Sequence, residues 1–349
     1  MSFEKFQQLG YELTEAEVLR LERQILQQYR DAIKNIRNEL DRTWGKYLTN
    51  VNPDNYYNEM LKYNRLDNLL KSVTREYNVK SAKAGRLTGQ ALELAFSNHY
   101  YRREYAASWI SDVKFTVVSP DLIDLSVYGT TDSWKKIAAL PKFKASDYKA
   151  PYATLSELLQ KNRQAELLQL RDSITQGLVQ GKSSTKTAKS IVDVIGRAAI
   201  QDGQISSSGA MSNAMRIVRT ETNRVMNDSA FALANDLLSQ GIDVQKQWSA
   251  TLDSGTRPVH ASLDGQIVPI DEPFESSEGD VMRPGQFDSV GQNVNCRCNV
   301  VDVIDGQSPT LRRGRNPVSG KNEVFEYKDF KKWADDNGLK ENKYGQLYR

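Results

Sequence analysis

The 349-residue sequence has only two cysteines and two histidines, and no apolar run approaching the ~18 residues of a membrane-spanning helix. Two cysteines cannot staple a chain of this length. A disulfide-built secreted scaffold is therefore excluded, and both thiols are expected to be reduced, as in an intracellular protein. Two histidines are too few for most metal-hydrolase centres. The first residues, MSFEKFQQLGYELTEAE, lack the basic flank and apolar core of a secretory signal, so neither a signal nor a membrane span is expected. There is also no glycine-rich phosphate loop, and no serine or cysteine nucleophile beside a recognisable base.

What is present is ordinary globular chemistry, 39% apolar and 26% charged, with enough chain for two domains or more. The net charge of +3 is unevenly placed, at +7 over residues 1–200, −8 over 201–305 and +4 over 306–349. The acidic block is a poor surface for duplex DNA, because phosphate neutralisation by Lys and Arg supplies most of that affinity. Any nucleic-acid contact is expected on the flanks.

The first half reads as long helices. After a Thr14–Glu17 capping box, apolar residues recur three or four apart at Val18, Leu21, Ile25, Tyr29, Ile33, Ile36, Leu40, Trp44 and Leu48. One long amphipathic helix ending near Pro53 is predicted. A second helix is expected from Pro53 to Val73 and a third over residues 82–109. VKFTVV and SPDLIDLSVYGTTDS predict a short strand or hairpin with turns, before helix resumes in LSELLQKNRQAELLQLRDSITQGLVQG and STKTAKSIVDVIGRA. His99 is given no role, and Tyr100, Tyr101, Arg102, Arg103 and Tyr105 are expected to pack rather than to stack on bases.

After QDGQISSSGA, expected as a linker or flexible loop, the character changes. A helix ending at Gly241 carries Arg216, Thr220, Asn223 and Asn227 on one polar strip, which is either solvated or faces another polar element. Glu221 and Arg224 are spaced for a local ion pair worth a few tenths of a kcal/mol if exposed. Short strands and tight turns follow, carrying Trp248, Asp253, Arg257, His260 and Asp264. A strand over residues 294–303 would place Cys296 and Cys298 on one face and Arg297 on the other. Three readings stand: the cysteines pack as small apolar side chains; His260, Cys296 and Cys298, with Asp253 or Asp264, ligate a soft metal such as zinc; or the thiols form a strained disulfide.

Three ordered motifs carry a family resemblance. RTETNRV at Arg219 to Val225 with Asn227, then Trp248, Asp253, Arg257, His260, Asp264 and Gly265 at their spacing, then NCRC at Asn295, Cys296, Arg297 and Cys298, resemble the Mu F-like minor head proteins of tailed bacteriophages. The resemblance covers roughly residues 155–305. It implies a minor capsid protein of the virion, in few copies and associated with the portal. Contacts with major capsid or scaffolding protein, and non-specific contact with viral DNA, also follow from it, with roles in head assembly and in DNA packaging or delivery. It also implies that related domains can be joined to toxin modules in other chains. A rival enzyme reading has Arg219, Glu221, Asp253, His260 and Asp264 lining a cleft as a metal-dependent hydrolase or nuclease.

The tail reads as a basic linker carrying Arg312, Arg313 and Arg315, suited to sequence-indifferent phosphate contact, then a short helix at YKDFKKWADDNG that docks onto a partner or packs in cis. The expected fold class is α+β: a long-helix docking region over 1–150, a small domain with short antiparallel strands over 151–305, and the basic linker and helix over 306–349.

Overall fold

A computed structural model describes residues 3–129, 153–201, 204–316, 322–341 and 347–348. The fold is α+β as expected, but its division does not follow the linear order of the chain. One compact unit gathers Glu17–Ala91 and Leu155–Val218; the other gathers Met1–Ala16, Leu92–Thr154 and Arg219–Arg349. Helix packing between distant stretches, rather than sequence proximity, sets the grouping.

The first unit is built from helices α1 (Phe3–Tyr47, from Glu17), α2 (Tyr56–Leu61), α3 (Arg65–Ala107, up to Ala91), α5 (Leu155–Val179), α6 (Ser184–Ile195) and the start of α7 (Gly209–Ser239). The stripe Ile25, Tyr29, Ile36, Leu40, Trp44 and Leu48 is buried in one core with Leu170, Ile174, Leu178 and Ile191. Trp44 Nε1 also donates to the Lys182 carbonyl at 3.0 Å. Gly177 permits the approach of α5 to α6, because a Cβ there would stand 2.5 Å from Thr187 Oγ1.

Within this unit Glu166 is buried and accepts a hydrogen bond from the Tyr77 hydroxyl. Burial raises its carboxyl above the usual range, against the lowering effects of Tyr77, Asn213 and Arg163. A carboxyl with a raised folded pKa binds its proton more tightly when folded. Its stabilising contribution is therefore present in acid and is lost as pH rises through the folded value. Glu166→Gln is expected to raise the melting temperature over the parent by a few degrees at neutral pH, with the gap closing in acid. Thermal melts of both proteins across pH test this, and a gap independent of pH would contradict it.

The second unit holds the end of α3, helix α4 (Pro120–Tyr128), the rest of α7 and a three-stranded antiparallel sheet. Its strands β3 (Val244–Ser249), β4 (Ile267–Pro269) and β5 (Asn299–Ile304) lie in the order β4-β3-β5, with Trp248 opposite Val300. Beyond the sheet come the hairpin β6 (Leu311–Arg315) and β7 (Asn322–Glu326), and helix α8 (Phe330–Asp336). Phe330 and Trp333 pack on Leu252, so the tail helix is held in cis.

Several expectations are corrected. Helix α1 begins at Phe3, so Thr14 does not start it. The break expected between Val73 and residue 82 is absent; α3 runs through, and the chain instead bends at residues 62–64, where Tyr63 and Asn64 take positive φ. VKFTVV forms no strand, and SPDLIDLSVY is helix, with Ser119 at the N-cap position and Pro120 at N1. Residues 130–133 of that stretch lie outside the described residues. The expected linker at QDGQISSSGA contributes to a hairpin of β1 (Ala198–Gln201) and β2 (Gln204–Ser207). Regular strand geometry begins at Asn299 rather than at residue 294.

Candidate functional site

The site is assembled on α7. Its polar strip turns out to face backbone. Thr220 Oγ1 accepts from the Asn295 amide at 3.0 Å, and Asn223 and Asn227 each donate from Nδ2 to the Cys298 carbonyl, at 3.1 and 3.2 Å. Asn227 Oδ1 accepts from the Val300 amide at 2.8 Å. The helix thus grips the NCRC segment through side-chain amides that match a strand's own donor and acceptor pattern. Arg216, the fourth member of the strip, instead pairs locally with Asn213.

On the same helix Arg224 is buried and bridges Glu221 and Asp228, each at 2.8 Å. Asp228 also takes Arg283 Nε at 2.8 Å and the Ser126 hydroxyl at 2.8 Å. The expected pairing of Glu221 with Arg224 forms, and it is a buried link in this network.

Asp253 and Asp264, the expected fourth metal ligands, are both committed elsewhere. Asp253 pairs with Arg297, Nη2 to Oδ1 at 3.0 Å, and its Oδ1 accepts the Gly255 amide at 2.9 Å. Asp264 accepts the Ala250 amide at 2.8 Å and the Phe330 amide at 2.6 Å, and Arg312 Nη1 reaches its Oδ2 at 2.7 Å. Arg257 donates to the Val294 carbonyl at 2.7 Å. Gly265 turns at φ +84°, where its amide donates to the Trp248 carbonyl at 2.9 Å. Arg219 lies on the exposed face of α7.

Arg312 is therefore not in a free linker. It sits in β6 with its side chain 3% exposed against Asp264, and cannot reach a phosphate from there. The side chains of Arg313 and Arg315 lie outside the described residues.

At the centre are His260, Cys296 and Cys298, only 1%, 3% and 2% exposed. The thiols share a face while Arg297 points out, as the expected alternation required. Both are free, and the alternative of a disulfide does not form. His260 Nδ1 lies 3.2 Å from Cys298 Sγ and 3.6 Å from Cys296 Sγ. A hydrogen bond from Cys298, with a smaller contribution from His260, holds the Cys296 thiol well below its ordinary value, whereas burial pushes Cys298 well above. Trp248, Phe274 and Phe287 close over the cluster; the Trp248 ring stands edge-on to Phe274 and His260 at centroid distances of 5.2 and 6.0 Å. Behind the imidazole, Nε2 lies 3.0 Å from Gln292 Oε1, and Gln292 Nε2 donates to Glu278 Oε2 at 2.9 Å.

Residues 168–301 match the family model described as Phage Mu protein F like protein, and this segment contains all three motifs. This segment, less than half of the chain, is similar to the Mu F-like family. The chain is 25% identical over 319 residues, 90% of its length, to the minor head protein GP7 of Bacillus phage SPP1, of which 92% is covered. An NAD(+)–arginine ADP-ribosyltransferase, EFV, of Enterococcus faecalis is 31% identical over 182 residues, but these are 52% of this chain and 34% of that protein. An uncharacterised protein of Haemophilus influenzae is 24% identical over a similar share of both chains. No solved structure matches.

The motifs of this segment thus fall into a backbone grip, two buried ion-pair groups and the His–Cys–Cys cluster. Sequence reasoning missed Asp228, Arg283, Gln292 and Glu278. Arg283 and Glu278 lie in the connection between β4 and β5, where no period or spacing marks them. Asp228 was within reach, being four residues beyond Arg224 on the same helix.

Proposed function

We propose that this chain is a minor head protein acting in tailed-phage head morphogenesis, located in the virion, in the capsid interior or at the portal vertex, and assisting head assembly and DNA packaging or delivery. The observation that carries the reading is the extent of the SPP1 similarity. It reaches 90% of the chain, far beyond the motif-bearing segment. The geometry agrees with a structural role, because the motif residues are occupied in holding the second unit together. In the enzyme reading Glu221, Asp253 and Asp264 line a cleft, yet each is engaged by an arginine, and His260 is almost fully buried. These are the partners of a satisfied network rather than groups presented to a substrate. The portal is the proposed main partner, with major capsid or scaffolding protein as further contacts. Non-specific contact with viral DNA is proposed for the basic first 200 residues, net +7.

Co-sedimentation of the full chain with its cognate portal protein tests the assignment. Binding at micromolar concentration is expected, and cross-linking with mass spectrometry would then locate the contact. Deleting residues 1–150 is not a clean test, because it removes parts of both compact units. Absence of portal binding, together with metal-dependent nuclease activity in the same preparation, would overturn the assignment in favour of an enzyme.

A further inference from the structure

We propose that His260 Nδ1, Cys296 Sγ and Cys298 Sγ form a structural zinc site supplied with three donors by this chain, its imidazole positioned by Gln292 and Glu278. The proposal is independent of the head-protein reading, since it concerns how the second unit is held together.

The donor spacing is the first support. With Zn–S near 2.3 Å and Zn–N near 2.05 Å, tetrahedral angles separate an imidazole nitrogen from a thiolate sulfur by about 3.6 Å. The two separations here are 3.2 and 3.6 Å, and all three donor atoms lie within 4.8 Å of one another.

The second support is the tautomer. An amide nitrogen of Gln292 must face the Glu278 carboxylate, because two acceptors cannot bond to each other. That fixes the amide oxygen toward His260, so Nε2 carries a proton and, in the neutral ring, the lone pair of Nδ1 points at the thiols. A second ring nitrogen tied to a hydrogen-bond acceptor in this way is the usual setting of a metal-ligating histidine.

The third support is how the one-residue spacing becomes workable. A Cys-x-Cys pair cannot curl around an ion as more widely spaced pairs do. Here extended backbone puts both sulfurs on one face, Asn295 turns the chain at φ +54° just before them, and Asn223 and Asn227 hold the Cys298 carbonyl. Two thiols with one imidazole select a soft or borderline ion such as zinc over magnesium or calcium. Asp253 and Asp264 are held by Arg297 and Arg312 and are not part of the donor set. Binding requires both sulfurs as thiolates, and any proton they hold is released to solvent.

The test uses the full chain, stripped with chelator under reducing conditions and then titrated separately with zinc and with cobalt(II). One zinc per chain should remain after gel filtration, cobalt should give thiolate-to-metal charge-transfer absorption, and zinc should slow the reaction of both thiols with a disulfide reagent. Cys298→Ser should abolish the charge-transfer band. Gln292→Leu keeps all three donors and should weaken zinc binding by about 10–100-fold. A folded parent chain that takes up no zinc, shows no cobalt band and has equal thiol reactivity with and without zinc would overturn the site. Unchanged affinity in Gln292→Leu would overturn the positioning role.

Discussion

Replacing Asp228 with alanine is expected to cost the second unit about 3–5 kcal/mol, because it leaves two buried guanidinium groups short of their shared carboxylate. Asp228 is 3% exposed and accepts from Arg224, Arg283 and Ser126, each at 2.8 Å. Arg283 is fully buried, and its guanidinium lies 4.6 Å from the centre of the Phe231 ring, which cannot replace a carboxylate in that position. Glu221→Ala should be milder, about 1–3 kcal/mol, since Arg224 would keep both Asp228 and the Ser126 carbonyl, at 2.7 Å. Urea unfolding of the two variants, followed by tryptophan fluorescence, gives the ordering. Equal losses, or a loss below about 1 kcal/mol for Asp228→Ala, would show that the network contributes little.

Arg312→Ala is expected to act on folding rather than on DNA. The guanidinium is bonded at once to Asp264, to the Ala250 carbonyl at 2.6 Å and to the Lys328 carbonyl at 2.9 Å. It therefore ties β6 to the turn before Gly265 and to the approach of helix α8. Its removal leaves Asp264, whose side chain is 1% exposed, charged and without its cation. A loss of about 3–5 kcal/mol should follow. Hydrogen exchange would show it as faster exchange in residues 311–315 and 322–336 before the rest of the unit opens. A variant with unchanged urea midpoint and weaker, less salt-dependent DNA binding would instead place Arg312 on phosphate.

The contrast over Arg312 shows what the sequence conveyed and what it hid. Local periodicity was a sound guide where one face is apolar: the α1 stripe from Ile25 to Leu48 is buried as its spacing required. The alternation at Cys296, Arg297 and Cys298 also held, although regular strand begins only at Asn299. Punctuation was less dependable. Pro120 read as a turn residue, yet it is pre-set for the first turn of a helix, and Ser119 stands where an N-cap would. The short hairpin of β1 and β2 was obscured by the serines and glycine around it. Nothing local distinguishes an arginine bound for solvent from one bound for a carboxylate 48 residues away. The pairing is set by tertiary packing, and the same holds for Arg283 with Asp228 and for Gln292 behind His260.

The grip of α7 on the NCRC segment also decides what the sheet can do with other chains. Strand β5 is an outer strand in the order β4-β3-β5, a position where unpaired amides and carbonyls invite a foreign strand to add on. Here the Val300 amide is taken by Asn227, the Val300 carbonyl by Arg103 at 2.8 Å and the Cys298 carbonyl by Asn223 and Asn227. Side chains thus stand in for a fourth strand. The sheet is closed to self-templated growth along that stretch, a useful property in a protein that must assemble only with chosen neighbours in a crowded particle.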